Sequence, residues 1–98
     1  MSRYMVLFEL DTSRTPEDPK AKKAQWLGQC AATARQLKEG VTKDWGLFAG
    51  ETCGYAIFEG STAELQTFVS SWVPFVKCRT RQLMTFEEWH EAMKALPE

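Results

Sequence analysis

The strand-like runs of this chain are apolar on both of their alternating sides. Within residues 1–10, Tyr4, Val6, Phe8 and Leu10 fall on one side, and Met5 and Leu7 on the other. Residues 41–50 set Trp45 and Leu47 against Phe48, and residues 54–60 set Tyr55 and Ile57 against Ala56 and Phe58. Successive side chains of a strand point to opposite faces, so an antiparallel sheet with one wet face reads as a clean apolar–polar alternation. Two apolar faces require two covers. Helices supply one of them. With 98 residues in all, little chain remains for the other, and a second copy of the protein is the economical source.

That length makes one domain, residues 1–98, able to bury a core without metals or disulfides. The 44% hydrophobic and 26% charged fractions are those of an ordinary globular chain. Net charge is −1, with acids and bases intermixed, so the clustered basic excess of a nucleic-acid binder is missing and none is expected as a partner. Three cysteines (Cys30, Cys53, Cys78) are widely spaced, with no CxxC pair and no neighbouring histidine. They read as small thiols in a reducing compartment rather than a zinc site or a disulfide framework. Cys53 differs in sitting in a turn, Gly50-Glu51-Thr52-Cys53-Gly54, but nothing basic adjoins it to activate the thiol. The first residues lack the basic-then-apolar pattern of a secretory signal, and no apolar run approaches the ~20 residues that span a bilayer. The expectation is a cytoplasmic protein with no membrane partner.

Local signals order the elements. A first strand near residues 3–10 ends in a polar stretch where either Thr15–Pro16 or Asp18–Pro19 can start a helix, and the long periodic pattern after Asp18 favours the second. Leu27, Cys30, Ala31, Ala34, Leu37 and Val41 recur at helical steps, and Gly40 marks the stop. Short strands near 43–49 and 54–59 flank the glycine-bounded turn. Ser61-Thr62-Ala63-Glu64 is a capping box opening a helix with Leu65, Phe68, Val69 and Trp72 on one face, stopped by Pro74. A fourth strand, near 75–84, precedes a second capping box, Thr85-Phe86-Glu87-Glu88, and a closing helix striped by Phe86, Trp89, Met93 and Leu96. Two strand–helix–strand crossovers joined by a hairpin make the α+β, ferredoxin-like βαββαβ arrangement, a four-stranded antiparallel sheet with helices on one face and an extra C-terminal helix.

With these elements, and with Phe68-Val69-Ser70-Ser71-Trp72-Val73-Pro74-Phe75-Val76-Lys77 as its best anchor, the chain resembles the dimeric α+β barrel superfamily, in particular small families of it without an assigned function. The resemblance implies a homodimer whose two sheets pack face to face. The superfamily includes cofactor-independent monooxygenases, lactone isomerases, haem-binding enzymes and ligand-sensing modules, so it leaves the function open.

On that arrangement the helix-facing set is Val6, Phe8, Gly46, Phe48, Ala56, Phe58, Val76 and Cys78. The opposite set is Met5, Leu7, Glu9, Trp45, Leu47, Tyr55, Ile57, Glu59, Lys77, Arg79 and Arg81. The resemblance implies a strand order that brings Glu9, Tyr55, Lys77 and Arg79 together. The candidate site is a cavity for a small, partly aromatic anion: Arg79 or Lys77 binds the charge, Trp45 and Tyr55 stack, and Glu9 acts as acid or base. The competing reading has Lys77, Arg79 and Arg81 guarding an edge strand and pairing with Glu9 and Glu59. His90, the only histidine, reads as a solvated helix residue rather than a haem ligand or base. No metal or cofactor is expected, and no catalytic set is nominated. The leading expectation is a small-molecule-binding homodimer; the alternatives are a cofactor-independent monooxygenase or isomerase, and a structural or regulatory dimer with a filled interior.

Overall fold

A computed structural model of the chain describes residues 2–98; Met1, at the head of the first strand-like run, lies outside the described residues. The elements are β1 (Ser2–Leu10), a 3-10 turn (Thr12–Arg14), α1 (Pro19–Glu39), β2 (Thr42–Leu47), β3 (Cys53–Gly60), α2 (Thr62–Ser70), β4 (Val76–Leu83) and α3 (Phe86–Lys94). The strands form one open antiparallel sheet in the order β2-β3-β1-β4. This α+β architecture is compatible with a ferredoxin-like fold.

The helix ends follow from local chemistry. Asp18 caps α1, its Oδ2 accepting from the Ala21 amide at 2.9 Å with Pro19 in the first turn. Gly40 closes α1 at φ 77°, a left-handed conformation that glycine adopts without steric cost. Both capping boxes form, the Ser61 amide donating to Glu64 Oε1 and the Thr85 amide to Glu88 Oε1, each at 2.9 Å. Those backbone hydrogen bonds hold both carboxyls below the usual glutamate range.

The core lies on one face of the sheet, where Tyr4, Val6, Ala56 and Phe58 meet Leu65 and Phe68 of α2, with Val69, Trp72 and Cys78 packed around them. Phe58 and Phe68 approach to 5.0 Å between ring centroids. Helix α1 behaves differently. It contacts mainly β2 and buries none of its own residues. The apolar face expected to seat it is therefore only half used, and Leu27 and Leu37 stay exposed. Among the described residues, helix α3 buries nothing and has no substantial contact with any other element, and the molecule is elongated, 63 × 25 × 21 Å.

One expectation about the sheet is overturned. β1, β3 and β4 present the expected faces, but β2 is reversed. A register shift between Thr42 and Asp44 pairs Trp45 with Ala56 and Leu47 with Gly54, on the helix side. Asp44 and Gly46 pair with Ile57 and Tyr55 and so belong to the open face. The extra residue of a β-bulge moves every later side chain to the other face. Two local features favour the shift. It keeps the Asp44 carboxylate out of the core, where its Oδ2 accepts from the Tyr55 hydroxyl at 2.9 Å. It also sets Gly46 under the Tyr55 ring, where a Cβ would stand 2.5 Å from a ring carbon.

Candidate functional site

Because α1 stands off the sheet, a cleft of about 510 Å³ opens between them. That volume falls within the roughly 300–1,000 Å³ of small-molecule pockets. Val6, Phe8, Ala56 and Cys78 form its floor, Cys30, Ala34 and Leu37 of α1 its roof, and Phe68 and Trp72 one wall. The cause is legible residue by residue. Cys30, Thr33 and Ala34 are small, and so are Ala56 and Cys78 opposite them, so the two layers cannot fill the space between them.

Aromatic rings dominate the remainder. Trp26, Trp45 and Trp72 border the cleft with Phe8 and Phe68. Phe8 and Trp45 stack with centroids 5.7 Å apart and planes 20° from parallel, which holds the indole in place at the cleft wall. Polar groups on the lining are few: the amides of Gln29 and Gln36, the hydroxyls of Thr33 and Thr52, and the thiols of Cys30 and Cys78. Burial pushes the Cys78 thiol up, so it is neutral at physiological pH. Glu51, exposed on the β2–β3 turn, is the one carboxylate on the lining, and its Oε1 accepts from Cys53 Sγ at 3.4 Å. The cleft therefore offers shape, π surface and neutral hydrogen-bonding groups, with no charge at its centre.

The residues expected to form the site divide between the two faces. Glu9, Tyr55, Lys77 and Arg79 stand on the open face: Glu9 is directly opposite Lys77, and Leu7 lies between Tyr55 and Arg79. Trp45 is not with them. The bulge in β2 carries it to the helix side, where it is part of the cleft. Nor does the ion pairing follow the expected pattern. Glu59 pairs instead with Arg3 at 3.1 Å and Lys43 at 3.8 Å. Among the described residues, Lys77, Arg79 and Arg81 have no carboxylate within ion-pair distance. Tyr55 is already committed, since its hydroxyl bonds to Asp44, and this bond, with the nearby negative charge, raises the phenol above its ordinary value. Between these polar groups, Met5, Leu7, Ile57 and Leu83 are half-buried.

The cleft residues missed by pattern reading were Phe8 as a partner of Trp45, and Cys30, Ala34 and Trp72 as lining rather than core. The signal available was size: Cys30, Ala31, Thr33 and Ala34, at the middle of the α1 face, are small. His90 lies on exposed α3 with its ring stacked on Phe86 at 5.7 Å. Among the described residues no group of His, Cys, Asp and Glu side chains is placed to hold a metal ion, and no helix is long and apolar enough to cross a membrane. No family model matches the chain, and no curated protein matches it.

Proposed function

We propose that the protein is a ferredoxin-like homodimer that binds a small, flat, uncharged aromatic molecule in the cleft between α1 and the sheet. The observation that carries this reading is the lining itself: three indoles and two phenyl rings around about 510 Å³ with no charged group at the centre. Burial of an aromatic ring against such walls is favourable by area alone, and offset stacking adds ~1 kcal/mol per well-placed pair. A carboxylate or phosphate would lose its hydration there without an opposing cation, so a neutral ligand is favoured over the anion expected from the open-face cluster.

A binding role is favoured over catalysis by the same lining. General acid–base work needs a titratable group within hydrogen-bond reach of the substrate. The floor and roof of this cleft supply thiols, hydroxyls and amides, and the Cys78 thiol is held neutral. The second copy covers the open face, where half-buried Met5, Leu7 and Ile57 have no cover of their own. Sheet-on-sheet packing of this kind gives the barrel-like dimer that the sequence resembles.

The test uses N-phenylnaphthylamine, an uncharged aromatic fluorophore. Titration of the full chain is expected to show saturable enhancement with one site per chain and micromolar affinity. Ala34→Phe, which fills the roof, abolishes the signal, whereas Arg79→Ala leaves it unchanged. Binding that survives Ala34→Phe, or is lost on Arg79→Ala, overturns the assignment and returns the site to the open face.

A further inference from the structure

The side chains of the open face form rows across the strands. One row runs Arg81, Met5, Ile57 and Asp44, from β4 through β1 and β3 to β2. The next runs Arg79, Leu7, Tyr55 and Gly46. Both rows have a cation at one end and apolar or aromatic groups in the middle, and the first ends in a carboxylate. Those terminal charges are unanswered within one copy. Among the described residues, Arg79 and Arg81 have no carboxylate within ion-pair distance, and Asp44 has no cation. Because β4 and β2 are the two edges of the sheet, the opposite charges stand as far apart as the sheet allows. The Asp44 carboxylate is also held in place, with Oδ2 accepting from the Tyr55 hydroxyl and Oδ1 from the Trp45 amide, each at 2.9 Å. Lone pairs remain on both oxygens for a guanidinium.

We infer that, in the homodimer proposed above, on which this inference rests, the two-fold axis runs along the strands and seats β4 of each copy on β2 of the other. Two aligned arrangements bring a pair of open faces together. An axis across the strands lays β4 on β4, which sets the arginine edge of one copy on the arginine edge of the other. Like charges brought together out of water oppose association. An axis along the strands exchanges the edges and keeps each row level with itself.

The second arrangement answers every position of the first row at once. Arg81 falls opposite the partner's Asp44, and Met5 falls opposite the partner's Ile57. In the next row Leu7 falls opposite the partner's Tyr55. Arg79 falls opposite the partner's Gly46, which the Tyr55 ring covers, so its guanidinium lands beside an aromatic ring. Each contact occurs twice, and the interface closes at two copies. Packed sheets lie about 10 Å apart, a gap that arginine and aspartate side chains bridge from opposite sides. The twist of the sheets turns the copies by about 30° without changing which edges meet.

The test is sedimentation equilibrium of full-length chains, with far-UV circular dichroism on each variant to confirm the fold. Asp44→Lys and Arg81→Glu each place like charges at two symmetry-related positions, and each is expected to weaken the dimer by at least about tenfold. Arg81→Glu leaves the Asp44–Tyr55 bond in place, so its effect is read even where D44K unfolds. Mixed in equal amounts, folded D44K and R81E chains are expected to regain wild-type association. In that heterodimer the new lysine meets the new glutamate, and the unchanged arginine meets the unchanged aspartate. A loss of fold is not rescued by mixing. If either folded variant dimerises like wild type, or the mixture shows no recovery, the axis does not lie along the strands, while a dimer that persists keeps the sheet-to-sheet reading. A wild-type chain that stays monomeric at high concentration overturns both.

Discussion

The two faces of the sheet are written by the same alternating strands, yet they are finished in different ways. On the helix side, Val6 is only 1% exposed and sits with Tyr4, Ala56 and Phe58 under α2. Farther along that face the side chains shrink and the cleft opens. On the open side, Met5, Leu7 and Ile57 are half-buried among charged rows. The difference separates two kinds of unfinished surface. A concave gap with no charge at its centre fits a small molecule. A flat face bordered by charges fits another protein surface, the second copy of the proposed dimer.

The largest expected effect breaks the helix-side face at its tightest point. Gly54 lies against the backbone of β2, where a Cβ would run into the Gly46 carbonyl, the Leu47 Cα and the Phe8 ring. Gly54→Val is therefore expected to cost about 3 kcal/mol in urea denaturation, at every protein concentration. A loss below about 0.5 kcal/mol would mean that β2 does not approach β3 as described.

A matched pair then compares the faces directly. Val6→Ala removes buried volume from the core and is expected to cost about 2 kcal/mol, independent of concentration. Leu7→Ala, one residue away on the opposite face, is expected to cost little in dilute solution, with a cost that grows as the proposed dimer becomes populated. Equal, concentration-independent losses would show that the open face is not an interface.

The bulge in β2 was not legible in advance, and the reason is physical. A strict alternation is the default reading of β2, and one inserted residue reverses it. What tips the balance is a cross-strand relation, Asp44 with Tyr55 and Tyr55 over Gly46, that exists only once β3 is paired. The element order and the helix caps were legible because their causes lie within four or five residues: Asp18 with Ala21, Ser61 with Glu64, Thr85 with Glu88. The faces of β1, β3 and β4 were legible because no bulge interrupts them. The cleft was not, since periodicity marks which face of α1 is apolar but not how far that face stands from the sheet. Of the nominated residues, Glu9, Tyr55, Lys77 and Arg79 share the open face, and Trp45 belongs to the cleft.

The smallest predicted effect tests that bulge. Hydrogen bonding to Asp44 holds the Tyr55 phenol above its ordinary value of 10.0. The folded state favours the neutral phenol, so this stabilisation is complete below the ordinary value and is lost as pH rises through the raised one. Absorbance titration should show Tyr55 ionising later than a free tyrosine, with the delay shortened by Asp44→Asn. No change on that substitution would remove the Asp44–Tyr55 pair and, with it, the reversed face of β2.

The division of labour between the faces is tested most directly by methyl-resolved NMR on the full chain, titrated first with N-phenylnaphthylamine and then by dilution. The ligand is expected to shift the methyl signals of Val6, Ala34 and Ala56 and to leave those of Leu7 and Ile57 in place, while dilution does the reverse. Ligand shifts concentrated at Leu7 and Ile57, with Val6 and Ala56 unmoved, would contradict the account.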